Sequence, residues 1–183
     1  VQAPDGSLSM RIPPEVLGAY SRELTCLDTP VVLDAPTSYR AQVLTPELGE
    51  ELRLSIDLQW TTGTREISLL LRTDAEGETG YVLRLEPGQR RMVLDRWPRR
   101  EPGPEQWHVA GDVPHFIELE RPVDLSAGRA HLDVISSHEL LQCCVDDAVV
   151  MSTSVYARTS GHVGVAALDG TVTVTALSTH TRP

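Results

Sequence analysis

Aromatic side chains make up only 4% of this 183-residue chain. The few that stand near Arg and Asp are therefore the first residues to weigh for chemistry. Tyr81 lies three positions before Arg84. Asp95, Arg96 and Trp97 are consecutive, and Trp107 follows in the same Pro-rich stretch. Rings that stack on a sugar face, flanked by Arg and Asp that bond its hydroxyls, would form a carbohydrate platform. The same six residues could instead pack against a neighbouring domain, and Asp95, Arg96, Trp97 and Trp107 could cap the open end of a sandwich.

Other chemistries find less support. Cys143 and Cys144 precede Asp146 and Asp147, which invites a soft-metal reading, but neighbours in a strand point to opposite faces. The histidines, His108, His115, His131, His138, His162 and His180, lack the close spacing of a zinc site and read as ordinary strand or surface residues. The run Asp74-Ala75-Glu76-Gly77-Glu78 departs from the calcium-loop template and reads as a solvated turn. A calcium site built from backbone carbonyls stays open, as does a bridge from Cys26 to Cys143 or Cys144. No serine-nucleophile elbow is present. The expectation is a chain with no catalytic residue of its own, no metal site and no cofactor.

The elements that must hold these residues read as strands. Residues 51–60 alternate polar and apolar without a break, which places Leu52, Leu54, Ile56, Leu58 and Trp60 on one buried face. Strands are also expected at 22–27, 31–33, 39–44, 67–72, 81–85, 91–95, 115–121, 129–136, 140–145, 148–156, 162–168 and 171–177. Glu86-Pro87-Gly88-Gln89, Asp146-Asp147 and Asp169-Gly170 are read as hairpin turns. Residues 13–20 have room for one helical turn. About a dozen strands with no β-α-β alternation predict an all-β fold, an antiparallel two-sheet β-sandwich. The expected division is an irregular segment or linker at 1–20 and one sandwich domain at 21–183.

The formal net charge is −10, and every cation is Arg, because the chain has no Lys. Such acidity argues against nucleic acid as a partner. No apolar run reaches the roughly 20 residues that span a bilayer, so no membrane partner is expected. With no Asn there is no N-glycosylation acceptor. The start, Val-Gln-Ala-Pro-Asp-Gly-Ser, has neither the basic nor the apolar region of a signal peptide, and it lacks Met; a mature product, a trimmed chain or part of a longer protein is expected. Localisation is left open between secreted and cytoplasmic.

Two patches carry a resemblance. One is Gly80 to Pro98, two strands around a Pro-Gly turn with an aromatic, Pro-rich exit. The other is Ser137-His138-Glu139-Leu140-Leu141-Gln142-Cys143-Cys144-Val145-Asp146-Asp147, followed by Ala148 to Tyr156 and by Gly161 to Gly170. The chain resembles the C-terminal β-sandwich of the fructosidase-type glycoside hydrolases of family 32 across about residues 20 to 178. Val145, Asp146, Asp147, Ser152, Thr153 and Tyr156 match that family's strand-turn-strand pattern. Ser137, Gln142 and Cys144 stand where the family carries Asp, Glu and an aromatic. The resemblance implies a concanavalin-like jelly roll that packs against a catalytic β-propeller outside this chain, with support of that propeller, sugar recognition or homodimer formation as its roles. The parent reaction would hydrolyse or transfer fructosyl units, with fructan or another oligosaccharide as ligand. The family's Asn-Asp-Pro-Asn-Gly, Arg-Asp-Pro and Glu-Cys motifs are all absent, so its active site is not in this chain. A free-standing carbohydrate-binding module or lectin, an enzyme built on an unrelated carboxylate pair, and an adhesion domain remain as alternatives.

Overall fold

The structure is a computed structural model that describes residue 6 and residues 8–95, 119–156 and 158–183. Among the described residues one short helix, α1 (Pro14–Gly18), precedes eleven strands: β1 (Arg22–Cys26), β2 (Val31–Val43), β3 (Glu51–Trp60), β4 (Glu66–Thr73), β5 (Tyr81–Glu86), β6 (Arg91–Asp95), β7 (Leu119–Pro122), β8 (Arg129–Ser137), β9 (Leu140–Val145), β10 (Val149–Ser154) and β11 (His162–Thr181). Every pairing is antiparallel. Among the described residues no helix is long and apolar enough to cross a membrane.

The strands make two layers. One runs β10-β9-β8-β3 and then the C-terminal half of β11, beside which lie β1 and the start of β2. The other runs from the end of β2 through the N-terminal half of β11 to β4, β5, β6 and β7. β2 and β11 thus belong to both layers. The result is the expected all-β antiparallel sandwich, and the two shared strands join its layers along one side.

Those shared strands correct two expectations. Asp169-Gly170 does not turn the chain back. Asp169 takes a φ of +50° and the register shifts between Leu168 and Gly170, which makes a bulge that redirects β11 from one layer to the other. Residues 31–33 and 39–44 likewise form one strand, β2, whose 31–35 segment pairs with 170–174 and whose 39–43 segment pairs with 164–168. The turn after β5 also differs in detail. Pro87–Gln89 form a 3₁₀ turn, and Arg90, not Gly88, takes the left-handed position at φ +53°.

The layers press together through residues of period two. Leu54, Leu83, Leu132, Val145, Val165 and Val174 have no exposed surface, and one apolar cluster contains all of them. Truncating one such Leu to Ala would cost about 2–5 kcal/mol. In β3 the alternation holds for Leu52, Leu54, Ile56 and Leu58, but Trp60 is only partly buried, because it lies where the strand leaves the sandwich. Cys143 faces the core and Cys144 the opposite side, as alternation requires, yet both are buried. The outer side is covered by Ile12 and Tyr20, which pack with Ile135 and Cys144. The Met10 N–H donates to the Ala148 carbonyl at 2.9 Å, and the Arg182 guanidinium sits 5.1 Å from the Tyr20 ring centre. All three cysteines are free.

Candidate functional site

β5 and β6 form a hairpin in which Val82 faces Asp95 and Arg84 faces Val93. Tyr81, Leu83, Leu85, Met92 and Leu94 point into the core. Alternation places Arg84, Glu86, Arg91 and Asp95 on the outer face of the same hairpin. Tyr81 and Arg84, three residues apart, are therefore on opposite faces and do not share a site. Tyr81 is 1% exposed, and its hydroxyl accepts a 3.3 Å hydrogen bond from the Arg158 N–H.

Arg84 and Asp95 do come together. Arg84 Nη2 lies 3.5 Å from Asp95 Oδ2, and Nη1 lies 3.8 Å from Glu86 Oε1. Arg91 continues the row, with Nε donating to Glu86 Oε2 at 2.7 Å and Nη1 to Glu120 Oε2 of β7 at 2.6 Å. The sequence Asp95, Arg84, Glu86, Arg91, Glu120 is thus a ladder of alternating charge across three strands. It runs from the nearly buried Asp95 side chain, 3% exposed, to Glu120, 55% exposed. The Glu86 hydrogen bond holds the Arg91 guanidinium above its ordinary pKa. Ser68 of β4 lies opposite Arg84 in register and donates to Glu66 Oε1 at 2.6 Å. Planar guanidiniums beside carboxylates can bond neighbouring hydroxyls of a sugar. Each inner carboxylate is already engaged by a guanidinium, which suits holding a ligand better than protonating a glycosidic oxygen. The remaining candidates, Arg96, Trp97 and Trp107, lie outside the described residues.

The other layer carries a second charged cluster on its outer face. β3 and β8 place Asp57 opposite His131 and Ser55 opposite Asp133. His131 Nδ1 is 2.7 Å from Asp57 Oδ1, and Nε2 is 3.4 Å from Asp133 Oδ2. Arg53 Nη2 reaches Asp133 Oδ1 at 2.9 Å. The Asp133 hydrogen bond, helped by Asp57 and opposed by burial, pushes the His131 pKa up to about 9. Burial would raise the Asp133 pKa, but His131 and Arg53 outweigh it and the net direction is down. Asp57, Gln59, Arg129, His131, Asp146 and Thr175 border an open cavity of about 360 Å³. His131 was expected to be an ordinary strand or surface residue. Its shared face with Asp133 is legible from their spacing of two, but Asp57 joins only through the β3-β8 register. Among the described residues no group of three or more His, Cys, Asp or Glu could hold a metal ion. The Asp74 loop closes on itself: its carboxylate accepts the Glu78 N–H and the Thr79 hydroxyl, each at 2.7 Å.

Neither a protein-family model nor a curated protein sequence matches the chain. Solved structures do. The carbohydrate-binding module CBM66 from Bacillus subtilis is 11% identical and superposes with a TM-score of 0.64, over 79% of this chain and 83% of that one. A galectin, LEC-6 of Caenorhabditis elegans, is 15% identical with a TM-score of 0.51, over 86% of this chain and 95% of that one. The fold is a concanavalin-like jelly roll. The β-fructofuranosidase of Aspergillus kawachii, complexed with glycerol, is 13% identical with a TM-score of 0.65, over 94% of this chain but 30% of the enzyme. This chain therefore spans less than a third of that enzyme's length. The likeness to such enzymes falls on the C-terminal β-sandwich region of the family 32 fructosidases, and at these identities it is a likeness of fold.

Proposed function

We propose that the chain is a non-catalytic sandwich module of a fructosidase-type glycoside hydrolase. It supports a catalytic β-propeller and offers the Arg84 ladder to sugar hydroxyls. The observation that carries this reading is the superposition that takes in 94% of this chain while covering 30% of a β-fructofuranosidase. A module with its own core can serve such an enzyme from outside the propeller, and the absent acidic motifs leave bond cleavage to another segment. A free-standing carbohydrate-binding module is the second reading, favoured by the match that covers 83% of CBM66.

Calorimetric titration with levan and inulin, run beside an assay of reducing-sugar release, tests the proposal. The expected outcome is saturable heat without release, weakened by Arg84→Gln. Binding that survives removal of any propeller favours the second reading. Release of sugar by this chain, abolished by changing one of its own carboxylates, would overturn both. So would silence toward fructan together with no association with a family 32 propeller supplied in trans.

A further inference from the structure

At one end of the sandwich three connections surround an open groove of about 480 Å³, bordered by Trp60 to Arg65, Pro87 to Gln89, and Leu125, Ser126 and Gly128. That volume is within the range of about 300–1,000 Å³ usual for small-ligand sites. The groove is separate from the Arg84 ladder, which lies on a sheet face.

Its composition differs from that of the rest of the molecule. In a chain with 26 acidic residues, no carboxylate among the described residues borders the groove. The ionic group among the described residues there, Arg65, is 3.5 Å from Asp169. The apolar part is Trp60, Pro87 and Leu125. The polar part is hydroxyl and amide: Thr61, Thr62, Thr64, Gln89 and Ser126. An aromatic ring with neutral hydrogen-bonding groups around it matches a neutral sugar, whose C–H face packs on the ring while its hydroxyls meet the rim.

The walls are tied down. The Trp60 N–H donates to the Gly128 carbonyl at 3.0 Å, which fixes the β7-β8 connection against the end of β3. Thr64 Oγ1 donates to the Thr61 carbonyl at 2.8 Å, and Thr61 Oγ1 accepts the Thr171 N–H at 3.2 Å. These bonds use up Thr61 and Thr64, and Asp124 holds the Ser126 hydroxyl, so Thr62 and Gln89, both exposed, are the rim groups available to a ligand. A turn held this way loses little further freedom on binding.

We propose that this groove is a binding site for a neutral oligosaccharide, with Trp60 as the stacking surface and Thr62 and Gln89 as hydroxyl-bonding groups. Trp60 belongs to the site because it ends β3 at the margin of the core, packed against it yet partly exposed.

Amide and indole NMR spectra of the whole chain, titrated with a short fructo-oligosaccharide, then lactose, then maltose, test it. Trp60→Phe identifies the Trp60 indole signal. Saturable shifts are expected for that indole N–H and for the amides of Thr62, Gly63, Gly88 and Ser126. A side chain at Gly88 would meet nothing within 4 Å. Gly88→Phe should therefore fold normally, fill the groove and abolish the shifts, while Trp60→Phe weakens binding about tenfold. The proposal is overturned if no sugar shifts these signals, if shifts are confined to β5 and β6, or if Gly88→Phe binds as the unaltered chain does. Shifts confined to the ladder would leave the module reading intact.

Discussion

Arg72 offers the most demanding test of how the two layers are locked. It is the penultimate residue of β4, is 3% exposed, and takes a φ of +51°. Its Nε and Nη2 donate to Ser136 Oγ of β8 at 3.0 and 2.8 Å. Nη2 also donates to the His138 carbonyl at 2.5 Å, and Nη1 to the Arg158 carbonyl at 2.6 Å. One guanidinium thus joins the second layer to a strand of the first and to two connecting loops. Burial lowers its pKa, and Tyr81, Glu50 and Glu139 pull partly the other way. Arg72→Met keeps much of the length and removes every donor. Two carbonyls and a hydroxyl then lose their partner, at about 1–3 kcal/mol for each that stays dry. Relief of the guanidinium's desolvation offsets part of that. The expected net loss is about 3 kcal/mol, out of roughly 5–15 for a domain, or a Tm lower by about 6–12 °C. Arg72→Lys keeps the charge without the fork and should fall between the two. Urea unfolding with an unchanged m-value is the assay. A loss below about 0.5 kcal/mol for Arg72→Met, within the range of an ordinary surface change, would refute the reasoning. A gain would show that the buried charge was a net cost.

Other expectations concern backbone, thiols and pH. A Cβ on Gly161, at φ +146°, would stand 2.5 Å from the Arg72 carbonyl carbon and 2.6 Å from the Thr73 oxygen, so Gly161→Ala should cost more than about 3 kcal/mol, read as a collapsed Tm. An aromatic disulfide reagent should modify only exposed Cys26 in the native chain, slowly because Glu23 raises its pKa, and all three cysteines in guanidinium; Cys143, pushed up to about 12 by burial, should be silent until unfolding. His131 should titrate near pH 9 by NMR, and Asp133→Asn should lower that midpoint. Because its folded pKa lies above the unfolded 6.5, its stabilisation is complete below pH 6.5 and is lost as pH rises through about 9. Asp133 acts oppositely, its contribution being present above 3.8 and lost as pH falls through its lowered value. With the His131 side chain 42% exposed, solvent screening holds its part to about 1 kcal/mol, measurable as a urea midpoint that falls from neutral pH to pH 10.

The strands were legible where one side faces water and the other the core. β3 alternates cleanly, and the hairpin from Leu140 through Asp146-Asp147 appears as expected, with both Asp residues at positive φ. Asp169-Gly170 carried an equally strong local turn signal, but pairing with β2, β3 and β4 kept the chain extended there. Long-range hydrogen bonds outweighed a dipeptide preference. Part of the site was also available: residues 81 and 84 differ by an odd number, so they could not share a strand face. Arg84 with Asp95 needed only the hairpin register. Trp60 kept the phase and packs against the core, but its position, last in the strand, leaves it only partly buried. The Arg72 and His131 clusters link residues up to 86 positions apart, and no local pattern announces such a pairing.

β11 has a further consequence for how the protein is made. It is the central strand shared by both layers, and it follows all ten of its fellows in the chain. Until it emerges from the ribosome, β2, β3 and β4 wait with unfilled edges, the kind of surface that recruits stray strands. Synthesis and sandwich closure are therefore coupled late, and the nascent polypeptide passes through a long adhesive interval that a chaperone or rapid C-terminal delivery would have to shorten.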